Sequence, residues 1–209
     1  MNPVLLFDFD GTIADTLDMA MAIGKKIAAE FGIHQLTSNE VVHFRNATIR
    51  EAVRELKIPL RKIPAMLLRI RQEIHENIAL MRPIKGIEAV LKELRPRCEL
   101  LGIVTSNSEE NVKWFLTKYN LDIFDFGAYS SAIFGKLRKL RGLIHKHHLQ
   151  KEHILYFGDT MGDIEASRKA GIRIAAVTWG YNTKEALMAA NPDFLVTTPA
   201  EILEIIKTD

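Results

Sequence analysis

The sequence predicts an α/β fold in which a parallel sheet carries helices on both faces and a helical segment is inserted after the first strand. Residues 4–7 are an apolar run bounded by turn chemistry, which is typical of a strand buried on both faces. From about residue 16 to residue 82 the apolar residues recur at helical spacing. Beyond Pro83 helical and strand-like patterns alternate, which favours a parallel, Rossmann-like sheet.

Two acids follow the first strand directly. Asp8 and Asp10 are one residue apart, and Gly11 and Thr12 come next. Ligands of open α/β sheets bind at the carboxyl ends of the strands. An unpaired buried carboxylate is costly there, and a bound cation is the usual remedy. Because Mg²⁺ prefers oxygen ligands, the sequence predicts a magnesium site at this edge.

The helical segment contains its own start and stop signals. Thr37-x-x-Glu40 and Thr48-x-x-Glu51 are predicted capping boxes. Pro64 suits a first helical turn, and Pro83 is predicted to terminate the segment.

The second half of the chain alternates between helices and strands. Helices are predicted over 87–94, 109–119 and 137–149, and strands over 100–104, 172–178 and 194–196 and from residue 154. No GxGxxG or GxxxxGK[ST] pattern is present, so the sequence does not support a dinucleotide-binding or P-loop function.

Composition excludes several other classes of function. The chain has 209 residues, 47% of them hydrophobic, and a net charge of +2, which indicates neither a nucleic acid nor a membrane surface as partner. The single Cys98 forms no internal disulfide. No apolar run reaches the ~18 residues of a membrane span. We therefore expect a cytoplasmic protein that binds a small molecule; no oligomeric state is predicted.

Three further motifs follow in order along the chain. Thr105-Ser106-Asn107 ends the predicted strand 100–104, Lys136 lies in Phe134-Gly135-Lys136, and Asp159 and Asp163 lie in Gly-Asp-x-x-x-Asp after the strand at 154. Together with Asp8-x-Asp10-Gly-Thr, these motifs resemble the four motifs of the haloacid dehalogenase superfamily of phosphotransferases. The resemblance covers nearly the whole chain. It implies a catalytic core of residues 1–15 and 83–209 and a helical C1 cap of residues 16–82 that closes over the site.

The resemblance also implies a role for each acid. Mg²⁺ would be held by Asp8, the backbone carbonyl of Asp10 and Asp159, with Asp163 supporting this ligand set. Asp8 would attack phosphorus and form an aspartyl-phosphate. Asp10 would protonate the leaving group and later deprotonate the attacking water.

Other residues are predicted to hold the phosphoryl group. Lys136 would supply the cation, with Lys139 as the alternative. Thr105 would supply a hydroxyl, and Ser106 and Asn107 would open an anion-binding helix, although Ser106-x-x-Glu109 is equally a plain capping box. Thr12 is expected to hold the loop geometry beside the substrate.

Several features permit a functional or a purely structural interpretation. Arg45 and Arg50 lie in a stretch that resembles the substrate-facing cap loop of phosphoglycolate phosphatase and β-phosphoglucomutase relatives, but basic residues are more often a solvated helix face. The aromatic residues of Trp179-Gly180-Tyr181 would either line the mouth of the cleft or pack in the core. His145, His147 and His148 indicate a solvated helix end rather than a metal site.

The predicted function is a Mg²⁺-dependent phosphomonoesterase acting on a small phosphate ester, such as phosphoglycolate or a sugar phosphate. A phosphosugar mutase of the β-phosphoglucomutase type uses the same core residues and is the first alternative. A non-catalytic phosphate-binding module is the second.

Overall fold

A six-stranded, fully parallel sheet forms the centre of the protein. The computed structural model describes residues 2–129 and 135–208. The strands are β1 (Val4–Phe7), β2 (Ala14–Asp15), β3 (Arg82–Pro83), β4 (Leu100–Thr105), β5 (Phe126–Tyr129), β6 (Ile154–Gly158), β7 (Arg173–Val177) and β8 (Phe194–Val196). The sheet has the order β5-β4-β1-β6-β7-β8, while β2 and β3 form a separate antiparallel pair. The predicted α/β fold is confirmed.

Ten α-helices surround these strands within the described residues. They are α1 (Leu17–Glu30), α2 (Ser38–Phe44), α3 (Ile49–Glu55), α4 (Ile63–Glu76), α5 (Ile87–Leu94), α6 (Glu109–Lys118), α7 (Lys136–Lys146), α8 (Met161–Ala170), α9 (Lys184–Ala189) and α10 (Pro199–Thr208). No helix in the described ranges is long and apolar enough to cross a bilayer.

The central strand β1 is apolar on both faces because both faces are covered by helices. Leu5 and Phe7 point to one face, where they pack with residues of α5, α6 and α10. Val4 and Leu6 point to the other, where they pack with residues of α7 and α8. Because side chains alternate across a strand, this single run contributes to two apolar cores. Packing on both faces holds β1 in place and so fixes the position of Asp8, which follows it directly.

The helical segment leaves and re-enters the core through β2 and β3, where Ala14 pairs with Pro83 and Asp15 with Arg82. Ile23 and Ile27 are the buried apolar residues of α1, whereas α2 and α3 bury no residue. Both predicted capping boxes are present, at the starts of α2 and α3. The division into core and cap stays a prediction.

The structure corrects several predicted boundaries. The edge strand β5 was not predicted because its four residues are only half-buried and include a glycine. Helix α7 ends at Lys146 rather than at residue 149. Helix α4 ends at Glu76, well before Pro83, which lies in β3. Phe134 of the third motif lies outside the described residues.

Candidate active site

The carboxyl ends of β1, β4 and β6 bring three of the four motifs together. Phe7 pairs with Ile103 on one side and with Phe157 on the other, so Asp8 leaves the sheet between the ends of β4 and β6. The backbone N–H of Asp8 donates to the carbonyl of Phe157 at 2.8 Å. This register places Asp8 beside Asp159.

Asp8, Asp159 and Asp163 form a carboxylate cluster. One oxygen from each lies within 4.8 Å of one from each of the others, and all three residues are buried. Lys136 at the start of α7 donates to Oδ2 of Asp8 at 2.5 Å and to Oδ1 of Asp163. Although burial opposes it, the charges of Asp163 and Asp8 raise the pKa of Lys136, so this residue is a permanent cation between two acids.

Asp8 has one oxygen on the backbone and one on the lysine. Its Oδ1 accepts from the N–H of Phe9 at 2.7 Å. Burial raises the pKa of Asp8 to about 7, and the attraction of Lys136 offsets that rise only in part because Asp163 and Asp10 repel the charge. The carboxylate is therefore incompletely neutralised by the protein alone.

Asp159 is fully buried, and within residues 2–129 and 135–208 its hydrogen-bond donors are uncharged. Thr12 donates its hydroxyl to Oδ1 at 3.1 Å, and the N–H of Tyr181 donates to Oδ2 at 2.7 Å. Burial raises the pKa of Asp159 well above its usual value, and the charges of Asp8 and Asp163 add to the effect. Two glycines make room for this carboxylate: a Cβ on Gly11, whose φ is +73°, or on Gly180 would lie 2.2 Å from Oδ2.

This donor set fits a divalent cation. It contributes carboxylate oxygens, which Mg²⁺ prefers, and holds more negative charge than Lys136 neutralises. Burial and the repulsion between neighbouring acids raise the pKa values of Asp8 and Asp159, and a bound cation would oppose that effect. Asp8 and Asp159 would hold the ion; the predicted contribution from the carbonyl of Asp10 stays a prediction.

Asp163 is more fully occupied than the other two acids. Its Oδ2 accepts from the N–H and hydroxyl of Thr160, completing a capping box at the start of α8. Its Oδ1 accepts from the hydroxyl of Tyr156 at 2.9 Å, besides Lys136. With both oxygens engaged, Asp163 is placed to hold Lys136, and its predicted support of the metal ligands stays a prediction.

Asp10 lies beside the cluster on the side facing β4. The Nδ2 of Asn107 donates to both of its oxygens, at 3.2 and 3.1 Å. Burial raises the pKa of Asp10 to about 6, against the opposing effect of the hydrogen bond from Asn107. A carboxyl that titrates near 6 exchanges protons readily at neutral pH, as acid and base catalysis requires.

Residues 5–177 match the family model of haloacid dehalogenase-like hydrolases. The chain belongs to this hydrolase family. A phosphoglycolate phosphatase from Synechococcus elongatus is 32% identical over 203 residues, covering 97% of this chain and 96% of that protein. One from Aquifex aeolicus is 27% identical over 217 residues, covering 97% and 96%. The crystal structure of a predicted phosphatase from Clostridium acetobutylicum has a TM-score of 0.86 at 20% identity and covers 100% of both chains. The predictions of family and of a phosphatase-type enzyme are confirmed.

The second motif of the hydrolase is arranged differently from the prediction. Helix α6 begins at Glu109 with Ser108 as its cap, so the predicted capping box at Ser106 is wrong. Ser106 is exposed, whereas Thr105 is fully buried and its Oγ1 accepts from the N–H of Asn107 at 2.9 Å. The Oδ1 of Asn107 accepts from the N–H of Ser108 and from Asn111, which orients the amide toward Asp10.

The two cap arginines occupy different surroundings. Nε and Nη2 of Arg45 donate to the carbonyls of Tyr181 and Gly180, at 2.9 and 3.0 Å. Arg50 is exposed and lowers the pKa of Glu165 on α8 by its charge, after the larger effect of Lys169. The substrate contacts predicted for both arginines stay predictions. Lys139 donates to the carbonyl of Thr105, beside the site but outside the carboxylate cluster.

Sequence reasoning missed several residues that complete the site. Tyr156 and Thr160 hold Asp163, and Thr16 pairs its Oγ1 with the hydroxyl of Tyr181 at 3.0 Å. A tyrosine in a buried strand looks like any core residue, and no spacing rule marks Thr16. Tyr181, in the loop after β7, could be found from the sequence, because aromatic residues directly after a strand end are able to line a cleft.

Proposed function

We propose that the protein is a Mg²⁺-dependent phosphomonoesterase that hydrolyses a small phosphate ester, with phosphoglycolate or a sugar phosphate as the substrate class. The observation that carries the proposal is the buried cluster of Asp8, Asp159 and Asp163 around Lys136, with Asp10 held beside it by Asn107. The similarity to phosphoglycolate phosphatases supports the choice of substrate.

In this proposal Asp8 is the nucleophile. A carboxylate oxygen of Asp8 forms a bond to phosphorus while the bond from phosphorus to the leaving oxygen breaks, giving an aspartyl-phosphate on this residue. Asp10 gives its proton to the leaving oxygen. Asn107 keeps the carboxyl of Asp10 aimed at that oxygen, because its amide is itself held by Ser108 and Asn111.

The second half-reaction uses the same two acids in exchanged roles. A water molecule attacks phosphorus and passes its proton to Asp10, and the bond between phosphorus and Asp8 breaks. Inorganic phosphate leaves, and both acids return to their starting states. A carboxyl with a pKa of about 6 suits both directions of transfer.

The remaining residues stabilise negative charge. Lys136 and the hydroxyl of Thr105 are proposed to face the equatorial oxygens of the phosphoryl group, with the N-terminus of α6 behind them. Mg²⁺, held by Asp8 and Asp159, would supply charge neutralisation for substrate and acids alike. Thr12 is proposed to orient Asp159, since its hydroxyl donates to that carboxylate, and its predicted place beside the substrate stays a prediction.

The test is phosphate release from a panel of two- to six-carbon phosphate esters, with Mg²⁺ and with EDTA, beside an Asp8→Asn variant. We expect release that needs both Mg²⁺ and Asp8 and that is fastest on one substrate. Removal of a covalent nucleophile costs roughly 10⁶-fold in turnover. Equal release by wild type and Asp8→Asn would refute the mechanism. An isomerised sugar phosphate without net phosphate release would instead identify a mutase.

A further inference from the structure

A hydrogen-bonded contact, here called the latch, joins the helical segment to the core next to the carboxylate cluster. It consists of the turn 45–47, between α2 and α3, and the core loop 179–183, between β7 and α9. Arg45 donates to the carbonyls of Gly180 and Tyr181. In the reverse direction, Nδ2 of Asn182 donates to the carbonyls of Arg45 and Ala47, at 2.8 and 3.2 Å.

Two more bonds complete the latch. The N–H of Thr183 donates to the carbonyl of Arg45 at 3.1 Å, and its hydroxyl donates to Oδ1 of Asn46. The contact thus uses both backbone and side-chain groups from each side. Asn182 is itself buried, although it lies in a loop. Because several hydrogen bonds join the two loops, the turn 45–47 holds the core loop in a defined position.

The opposite side of the same core loop holds Asp159. The N–H of Tyr181 donates to Oδ2 of Asp159, and the N–H of Asn182 donates to its carbonyl at 3.3 Å. Gly180 packs so closely on this carboxylate that a Cβ would overlap it. Oδ1 of Asn182 also accepts from the N–H of Met161, the first residue of α8, at 2.8 Å. The loop therefore contacts the helical segment on one side and Asp159 on the other.

We propose that Arg45 and Asn182 are positioning residues, and that the latch couples closure of the helical segment to the orientation of Asp159. This inference rests on the proposed function, in which Asp159 holds Mg²⁺. Docking of turn 45–47 fixes the core loop, so that the N–H of Tyr181 stays on Oδ2 of Asp159. That bond fixes which way the carboxylate of Asp159 points, because Oδ2 is held by the core loop while Oδ1 accepts from Thr12. Release of the turn loosens the loop and weakens the metal site.

The layout of the other contacts agrees with this assignment. The helical segment also meets the core through His75 with Asn111, through the carbonyls of Ala79 and Met81, and through Thr16 with Tyr181. The first three positions precede β3 and Thr16 follows β2, so all of them lie near the two points where the segment joins the core. The latch is separated from β2 and β3 by whole helices on each side. A hinge motion at the β2–β3 pair would therefore open the latch while leaving the contacts near β3 in place.

The experiment measures Mg²⁺ binding in the absence of substrate. Titration calorimetry gives the dissociation constant, and Trp179 reports the position of the core loop, because its Nε1 donates to the carbonyl of Thr12 at 3.2 Å. Trp114→Phe leaves Trp179 as the single tryptophan of the chain. In this background we compare Arg45→Met, Arg45→Lys and Asn182→Ala. Arg61→Met, an exposed arginine of the same segment outside the latch, is the matched control.

We expect Arg45→Met and Asn182→Ala to weaken Mg²⁺ binding about tenfold, as loss of a group that orients a metal ligand does. Arg45→Lys should fall between them and the wild type, since lysine reaches one carbonyl rather than two. The emission of Trp179 should shift in the same variants. Arg61→Met should match the wild type in both measurements.

The two proposals fail in distinguishable ways. If the wild type binds no Mg²⁺, or Asp159→Asn binds it as tightly, the proposed metal site is refuted. If Asp159 is needed but Arg45→Met and Asn182→Ala bind Mg²⁺ as the wild type does, the coupling alone is refuted. A rise in the KM of Arg45→Met with unchanged Mg²⁺ binding would assign Arg45 to direct substrate contact instead.

Discussion

Carboxylates at the sheet edge and carboxylates in the helical segment behave in opposite ways. Burial raises the pKa of Asp8 to about 7 and that of Asp10 to about 6. In the helical segment, hydrogen bonds from the backbone and hydroxyl of Thr37 lower the pKa of Glu40 to about 2, and Thr48 lowers that of Glu51. The same chemical group is therefore destabilised as an anion in one region and stabilised in the other.

The pKa values differ because each acid trades hydrogen bonds with water for hydrogen bonds with the protein, and the balance of the two is different in the two regions. Glu40 keeps part of its exposure to solvent at the start of a short helix and receives donors from its own turn and from His34. Asp159 is fully buried, and the donors that reach it from the described residues are a hydroxyl and a backbone N–H, neither of them charged. Acids of the first kind stabilise local structure. Acids of the second kind reduce stability until a ligand binds, which is the pattern expected of a functional site.

Replacement of one acid from each region gives the largest contrast. Asp10→Asn should lower kcat by about 10²–10⁴-fold, since it removes a general acid and base. Dephosphorylation also needs Asp10, so the variant should retain some aspartyl-phosphate after acid quench, detectable by intact mass. Glu40→Gln is the matched control and should retain the wild-type kcat. A large loss of kcat in Glu40→Gln would contradict the assignment of catalysis to the sheet-edge acids and of local stability to the acids of the helical segment.

The two lysines of α7 allow a finer comparison within the core. Lys136→Met should lower kcat by about 10²–10³-fold, the cost of losing one preorganised charge-stabilising group. Lys139→Met should have a smaller effect, because Lys139 donates to the carbonyl of Thr105, whereas Lys136 donates directly to Asp8 and Asp163. Initial rates at saturating substrate measure both variants. A larger loss of kcat in Lys139→Met than in Lys136→Met would identify Lys139 as the catalytic cation instead.

The sequence predicted the core site much better than the contacts of the helical segment. Asp8 and Asp159 follow buried apolar strands, and strands of a parallel sheet end at one edge, so their meeting follows from pattern alone. Asn107 was placed near the site, and α6 begins at Glu109 as predicted, but the bond of Asn107 to Asp10 depends on which residue caps the helix: the cap is Ser108, two residues after the predicted Ser106. Local patterns do not determine helix ends to that accuracy.

The latch was beyond sequence reasoning for a different reason. Arg45 and Gly180 are far apart in the chain, and neither lies in a periodic element that would fix its orientation. From sequence, a basic residue in a turn is expected either to be solvated or to contact an anion. A contact with backbone carbonyls cannot be predicted in this way, because every residue has a carbonyl. The capping boxes at Thr37 and Thr48 were predicted correctly because all of their partners lie within three residues.

Stability against pH should separate the two regions without any assay of activity. Ionisation of Asp8 and Asp10 is favoured in the unfolded chain, so the metal-free protein should lose stability as pH rises from about 4 to about 7. The carboxyl of Glu40 has the opposite sign, and its contribution should be lost as pH falls from about 4.5 toward 2. Thermal unfolding in EDTA measures both limbs.

Mg²⁺ should then reduce the loss of stability that is expected between about pH 4 and about pH 7. Its stabilising effect should be larger at pH 7.5 than at pH 5, because ionised acids bind the ion and protonated ones do not. Asp8→Asn should flatten the fall between pH 4 and 7 in EDTA. A metal-free protein that gains stability over this range would contradict the raised pKa values of the sheet-edge acids.

The smallest effect belongs to the capping boxes. Thr37→Ala removes the hydroxyl that accepts from the N–H of Glu40 and should cost about 1 kcal/mol of helix stability. Ser38→Ala, at the exposed first residue of α2, is the matched control. kcat and KM should not change in either variant, because the contacts of Thr37 stay within its own turn.

Where that loss is detected depends on how the helical segment unfolds. Helix α2 buries no residue, so it has little packing to tie it to the core. We expect Thr37→Ala to speed hydrogen exchange over residues 38–44 while the urea midpoint of the whole protein moves little. A full shift of the global midpoint would instead mean that segment and core unfold as one unit, so that the acids of both regions contribute to a single cooperative stability.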